Sequence, residues 1–254
     1  MTVDTRSLLS RLDEIGRSLD RSGHALALLG LGSVGLELDR IDAYSDLDFF
    51  AIVEDGYKQA YIDSLKWLSD VHPIAYHFRN TVDGYKLLFA DGIFCEFAVF
   101  ELDELKSIPF APGRIVWKRS DMPDTLGQPG SKMMPASKRD RDWLLGEAVT
   151  NIYVGLQRDK RGEKLSAMRF IQSYAVDRLL ELVEYIDPPE QAHRDPFVNE
   201  RRFEQRYPGL VSQLCTWTQG YEKNRESALA ILEFLEKQFG VNEAIAKEIR
   251  ALAN

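Results

Sequence analysis

Leu8, Leu9, Leu12, Ile15 and Leu19 recur at three- and four-residue intervals, so residues 7–22 are expected to form an amphipathic helix that Gly23 ends. The period then changes. Ala25–Leu29 and Phe49–Val53 are short unbroken apolar runs, each of a length that suits a strand buried on both faces. Helical spacing returns over Tyr57–Val71, through Tyr61, Leu65 and Leu68. Ile74–Phe78, Tyr85–Phe89 and Ile93–Phe100 read as strands. Asp83-Gly84 marks a turn, and Asp91-Gly92 joins the last two strands as a hairpin. Ile115–Lys118 is a further short strand.

From Ser120 to Ser137 the chain is rich in Pro, Gly, Ser and Met and shows no period, which reads as a linker. Beyond it every period is helical. Helices are expected over Asp140–Gln157, Glu163–Tyr185 (stopped by Pro188-Pro189), Asn199–Gln213, Tyr221–Phe239 and Asn242–Leu252. No repeat of fixed period interrupts them. The expected fold class is α+β. A mixed β-sheet domain with flanking helices covers residues 1–120, a linker 121–137, and an α-helical bundle domain 138–254 that contributes an acceptor pocket.

Chemistry concentrates in the first domain. The second strand opens on Asp46 and Asp48, whose side chains at i and i+2 share one face roughly 6.5–7 Å apart. Paired carboxylates raise each other's proton affinity unless a cation sits with them, and Mg²⁺ takes such oxygen ligands while leaving room for phosphates. Upstream lies a glycine-serine turn at Gly32 and Ser33, a candidate cradle for phosphate. Twelve residues separate Ser33 from Asp46. Alone, either feature could be a turn or a solvated strand start; their order and spacing favour a site. Glu96 interrupts the otherwise apolar strand IFCEFAVF, where a buried carboxylate needs a partner. It is either half of a buried ion pair with an arginine or a third carboxylate beside Asp46 and Asp48. Their phases on neighbouring strands bring Asp46, Asp48 and Glu96 to one cleft, with Ser33 at its rim.

Gly-Ser, a dozen residues, then Ser45-Asp46-Leu47-Asp48 resembles the DNA polymerase β-like nucleotidyltransferase superfamily. Tyr44-Ser45-Asp46-Leu47-Asp48-Phe49, the hairpin DGYKLLFADGIFCEFAVFE and the turn Lys160-Arg161-Gly162-Glu163 look most like the lincosamide nucleotidyltransferases. The likeness is rich in motifs over residues 28–105 and mostly architectural in the helical half. It implies that Gly32 and Ser33 hold the phosphates of a nucleoside triphosphate, expected to be ATP. It also implies that Asp46, Asp48 and Glu96 bind Mg²⁺, with Glu96 as ligand or general base. A nucleoside monophosphate then passes to a hydroxyl of a small acceptor, a lincosamide-type antibiotic being the leading expectation. One departure concerns the phosphates: Gly35, Leu36 and Glu37 stand where relatives often carry a basic residue, and either Arg40 takes that place from the connector or the phosphate contacts differ. Two alternatives stay open: the same chemistry on an aminoglycoside or another acceptor, or a degenerate module that only binds nucleotide.

Composition narrows the partners. Of 254 residues, 44% are apolar and 28% charged, an ordinary balance for a water-exposed fold. A net charge of −8 does not suit a protein gripping a long nucleic acid, so none is expected. No apolar run nears 18 residues, so no membrane span is expected. The first residues lack a signal-peptide core, and Cys95 and Cys215 are too few for a disulfide framework, so the cytoplasm is the expected compartment. His24, His72, His77 and His193 lack metal-ligand spacing. A homodimer is compatible with the sequence, which leaves oligomeric state open.

Overall fold

The structure, a computed structural model, describes residues 4–130, 139–187, 189, 195 and 198–254. Residues 131–137 of the expected linker, residue 138 at the start of the expected bundle, Pro188 of the expected helix stop and His193 lie outside the described residues. The chain forms two compact units, Met1–Met134 and Pro135–Asn254. The first holds a mixed sheet with flanking helices and the second is helical, giving an α+β chain.

Helix α1 (Thr5–Ser22) starts where the Asp4 side chain accepts from the Arg6 N–H, and it ends at Gly23 in the left-handed region. Strands β1 (Ala25–Gly30), β2 (Leu47–Val53), β3 (Ile74–Arg79), β4 (Gly84–Phe89), β5 (Phe94–Glu101) and β6 (Arg114–Lys118) make a sheet of order β3-β4-β5-β2-β1-β6. The pairings are antiparallel except β2 with β5, which run parallel. The Asp91-Gly92 hairpin closes with Phe89 N–H donating to Ile93 O at 2.9 Å. Gly84 sits in β4 because a Cβ there would lie 2.1 Å from Phe97 O.

The two faces of the sheet are covered differently. Leu8, Leu12, Ile15 and Leu19 of α1 pack on Leu28, Phe49, Val53, Cys95, Phe97 and Val99, together with Tyr61, Trp67 and Leu68. On the opposite face, Leu29, Ile52 and Phe100 pack with Leu105, Phe110 and Leu126 at one end. Asp48 and Glu96 stand at the other end of that face, half-buried.

The expected helix over Tyr57–Val71 is instead two short helices, α2 (Lys58–Asp63) and α3 (Lys66–Ser69). Extended backbone at Ser64 (φ −129°, ψ 111°) parts them. The break lets the Trp67 indole N–H donate to Tyr61 O at 3.2 Å while the ring packs edge-on to Phe97 at 5.3 Å. Burying a large ring stabilises by about 2–3 kcal/mol, more than one interrupted helical turn costs.

In the second unit, α4 (Arg141–Lys160) is capped by Asp140 Oδ1, which accepts from Asp142 N and Trp143 N at 2.9 Å. Next come α5 (Lys164–Arg169), a π-helical turn over Phe170–Ala175, and α6 (Val176–Val183). The expected helix over Asn199–Gln213 is broken into α7 (Phe203–Arg206) and α8 (Val211–Trp217). Pro208 lacks the N–H a helix interior needs, and Pro208–Leu210 turn tightly between them. Helices α9 (Asn224–Phe239) and α10 (Glu243–Ala253) complete a core around Leu156, Ile171, Leu179, Trp217, Ile231 and Leu235.

Candidate functional site

The site is built where β1 leaves the sheet beside β2. Leu31 N–H donates to Asp48 O at 2.8 Å, which binds the start of the turn to the strand carrying the carboxylate. The chain then makes one 3-10 turn over Gly32–Val34, held by Val34 N to Leu31 O and Gly35 N to Gly32 O, each 3.1 Å. Gly32 has φ +53°, and a Cβ on it would lie 3.0 Å from Asp48 Oδ2. Glycine is therefore required twice, for the left-handed backbone and for the close approach. The first amides of such a turn have no acceptor within it.

Between the turn and β2, Asp42 Oδ1 accepts from Tyr44 N at 2.8 Å and from Ser45 Oγ at 3.2 Å. This small turn delivers Asp46 one residue ahead of the strand, half-buried. Asp48 follows on β2, and its register partner in parallel β5 is Glu96. Residues opposite one another on neighbouring strands share a face, with strands about 4.8 Å apart. Asp48 and Glu96 therefore stand side by side, with Gly32 against Asp48 from the other flank.

Glu96 is not buried, as the apolar strand around it suggested. Its side chain is 43% exposed and its partner is Lys86, Nζ to Oε2 at 3.3 Å, rather than an arginine. Asn80 Nδ2 donates to Glu96 Oε1 at 3.0 Å. Among the described residues, the cluster that buries Phe100 takes in Leu105, Phe110 and Leu126. On the opposite face Cys95 is fully buried. Burial above all pushes its thiol up, and the Asp46, Asp48 and Asp91 carboxylates push the same way against Arg11. Cys95 is thus a neutral, inert thiol.

The expected basic residue, Arg40, pairs with Glu37 at 2.7 Å from a short 3-10 turn over Leu38–Arg40. A second arginine, which the spacing of the motif did not single out, reaches the glycine-serine turn. Arg114 pairs with Gly30 across β1 and β6, and its Nε donates to Val34 O at 3.2 Å. Lys86 and Asn80 were equally unmarked. A lysine alternating with apolar residues reads as an ordinary solvated position, and only the pairing of β4 with β5 sets it on Glu96.

Asp46 and Asp48 supply the hard oxygen donors that suit Mg²⁺, which commonly takes one or two carboxylates and completes its shell with water and phosphate. A closed protein cage is not formed: among the described residues no three His, Cys, Asp or Glu side chains gather into a metal-holding group. The donor set fits a cation held jointly with a phosphate-bearing ligand, with Glu96 engaged by Lys86 and Asn80.

No protein-family model matches the chain, and no curated protein sequence matches it. Among solved structures it is similar to an aminoglycoside 6-adenyltransferase from Bacillus subtilis, at 13% identity over 95% of this chain and 89% of that one, TM-score 0.35. It is also similar to a STING-associated CdnE c-di-GMP synthase from Capnocytophaga granulosa, at 13% identity over 98% and 79%, TM-score 0.30. A third is the CD-NTase CdnG of Bradyrhizobium diazoefficiens in complex with GTP, at 15% identity over 97% and 99%, TM-score 0.28. Likeness this distant assigns no activity, so the function rests on the geometry above. Among the described residues no helix is long and apolar enough to cross a membrane.

Proposed function

We propose that this protein is a nucleotidyltransferase that moves a nucleoside monophosphate, from ATP or another nucleoside triphosphate, to a hydroxyl of a small acceptor. The observation that carries the reading is the flanking of Asp48, by the Gly32–Ser33 turn on one side and by Glu96 on the other. Gly32 and Ser33 hold the terminal phosphates, and Arg114 braces their turn through Val34 O. Arg40, through Glu37, steadies the connector behind it. Asp46 and Asp48 hold Mg²⁺, which when bound neutralises phosphate charge and polarises the phosphorus under attack. Glu96 accepts the proton of the acceptor hydroxyl, whose oxygen bonds to the α-phosphorus. The bond from that phosphorus to the bridging oxygen breaks, and its electron pair leaves with pyrophosphate. A positioned base of this kind contributes about 10²–10⁴-fold in rate.

Lincosamides and aminoglycosides are equally suitable acceptors on these residues, and an antibiotic-modifying role in the cytoplasm belongs to the same proposal. A second reading, nucleotide binding without transfer, draws on the Lys86 and Asn80 contacts that engage Glu96. One experiment separates them. The protein is incubated with ATP and Mg²⁺ beside lincomycin, kanamycin and tRNA in parallel, with pyrophosphate release and product masses recorded. Transfer predicts pyrophosphate with a gain of one nucleoside monophosphate on a small molecule. A gain on tRNA alone would sink the small-molecule acceptor, and nucleotide binding without pyrophosphate would establish the second reading.

A further inference from the structure

One transverse row crosses four strands on the open face. Phe78 pairs with Lys86, Lys86 with Glu96, and Glu96 with Asp48. A second row, Tyr76–Leu88–Phe94, runs beside it. Phe94 stands two residues before Glu96, as Asp46 stands two before Asp48, so the second row ends next to Asp46. Read from β3 inward, the first row presents an aromatic ring, an ammonium, a carboxylate and a carboxylate. Gly32 then abuts it from the β1 side.

The apolar members of these rows belong to neither core of the sheet unit. Tyr76 is 58% and Phe78 54% exposed, and Leu88 and Phe94 are half-buried. Their alternating neighbours behave differently: Tyr85 and Phe97, on the other face, stack in the α1-covered core at 5.9 Å. The aromatic patch is thus confined to the face, and to the end of the face, where the carboxylates stand. A contiguous apolar patch adjoining charged groups marks a binding surface.

In-line displacement decides what that surface faces, because attacking and leaving oxygens lie on opposite sides of the phosphorus. With the leaving phosphates on the Gly32–Ser33 turn, the incoming hydroxyl approaches from the β5 side of Asp48. The geometry points to the rows Phe78–Lys86–Glu96 and Tyr76–Leu88–Phe94 as the acceptor subsite, shaped for a sugar ring. The aromatic faces of Phe78 and Tyr76 take the ring's C–H face, while Lys86, Asn80 and Glu96 take its hydroxyls. This inference rests on the nucleotidyl-transfer reading and deepens it by naming the acceptor's side and chemical class.

The test uses the full chain with Phe78→Ala and Lys86→Met, both at part-exposed positions, and Asp48→Asn as the control on the nucleotide side. The first readout is the Kd for Mg²⁺ with whichever of the four common nucleoside triphosphates binds the wild type tightest. Expected values stay within twofold of wild type in Phe78→Ala and Lys86→Met and rise at least tenfold in Asp48→Asn. The second readout is transfer to lincomycin and kanamycin. For whichever is modified, the acceptor KM should rise at least tenfold in Phe78→Ala while the nucleotide KM stays within twofold. A tenfold loss of nucleotide affinity in Phe78→Ala would make the ring a platform for the nucleobase and overturn the assignment. Modification of neither sugar-bearing compound, or an unchanged acceptor KM, overturns it as well. Failure of the wild type to bind nucleotide defeats the transfer reading itself, and that outcome is seen before any variant is compared. Far-UV circular dichroism guards against misfolding; if Phe78→Ala differs from wild type, Phe78→Leu, which keeps apolar bulk without the ring, carries the comparison.

Discussion

The two units use polar side chains in opposite ways. In the helical unit Gln172 and Asn224 are buried and complete. Gln172 Nε2 donates to Gly220 O at 2.8 Å and to Asn224 Oδ1 at 2.9 Å, and Gln172 Oε1 accepts from Gly220 N at 2.7 Å. Asn224 Nδ2 donates to Asp159 Oδ1 at 3.2 Å and to Lys164 O at 3.1 Å, and Asp159 Oδ2 takes Arg225 Nε at 3.0 Å. These bonds tie the π-helical turn, the end of α4 and the start of α9 together. In the sheet unit Asp48 and Glu96 are part-exposed like charges side by side, and Lys86 pairs with Glu96. A buried network with matched donors and acceptors is packing, and breaking it costs stability. A row of neighbouring part-exposed carboxylates on one face of a sheet contributes little to packing, which is why it reads as a site.

The contrast can be broken most sharply at Asp48. Asp48→Asn should lower pyrophosphate release by about 10³-fold, several kcal/mol of lost charge stabilisation. The melting temperature without metal should stay unchanged or rise slightly, because one of two neighbouring like charges is gone. A clear drop in that temperature would make Asp48 structural and erase the distinction between the units.

Asn224→Ala is the mirror experiment. It takes one buried hydrogen bond each from Gln172, Asp159 and Lys164 O and should cost about 1–3 kcal/mol of stability, read by denaturant unfolding. Nucleotide affinity should not change. If affinity falls while stability holds, the network belongs to function after all.

Gly32→Ala touches both sides of the comparison. The left-handed backbone should cost about 1–2 kcal/mol, and the added Cβ, 3.0 Å from Asp48 Oδ2, should displace that carboxylate. Titration should show weaker nucleotide binding together with a modest loss of stability. Unchanged binding would remove the turn from the phosphate site.

The smallest effect is expected at the far end of β2, away from the carboxylates. Arg119 and then His24, hydrogen-bonded to Glu54, hold its carboxyl below the usual glutamate range. Its stabilisation is therefore present above the ordinary pKa of 4.5 and lost as pH falls through the lower folded value. The melting-temperature gap between wild type and Glu54→Gln should be full at pH 7 and close in acid as pH falls through that lower folded value. A gap that persists in acid would mean the contribution is not the ionised carboxylate's.

Much of this was written locally. The apolar runs, the Asp91-Gly92 turn and the aspartates at the head of β2 are short-range features, so the alternation of strand faces was enough to expect Asp46 and Asp48 on one face without any tertiary information. The helix over Thr5–Ser22 followed from its stripe and its glycine stop. Where distant segments meet, the local pattern reached only as far as expecting Glu96 on a strand beside Asp46 and Asp48. Trp67 found its place on Phe97 only by breaking the helix at Ser64, because tertiary burial outweighs local propensity. Glu96 looked buried because its strand is apolar, yet exposure depends on what covers a face: Phe100 packs with Leu105, Phe110 and Leu126, and Glu96 is part-exposed. Strand register decided the rest. Pairing β5 parallel to β2 set Glu96 opposite Asp48, pairing β4 to β5 set Lys86 on Glu96, and pairing β6 to β1 brought Arg114 to the glycine-serine turn. Register is a property of two strands at once, fixed by the faces both must bury, and so no reading of one strand's residues could supply it.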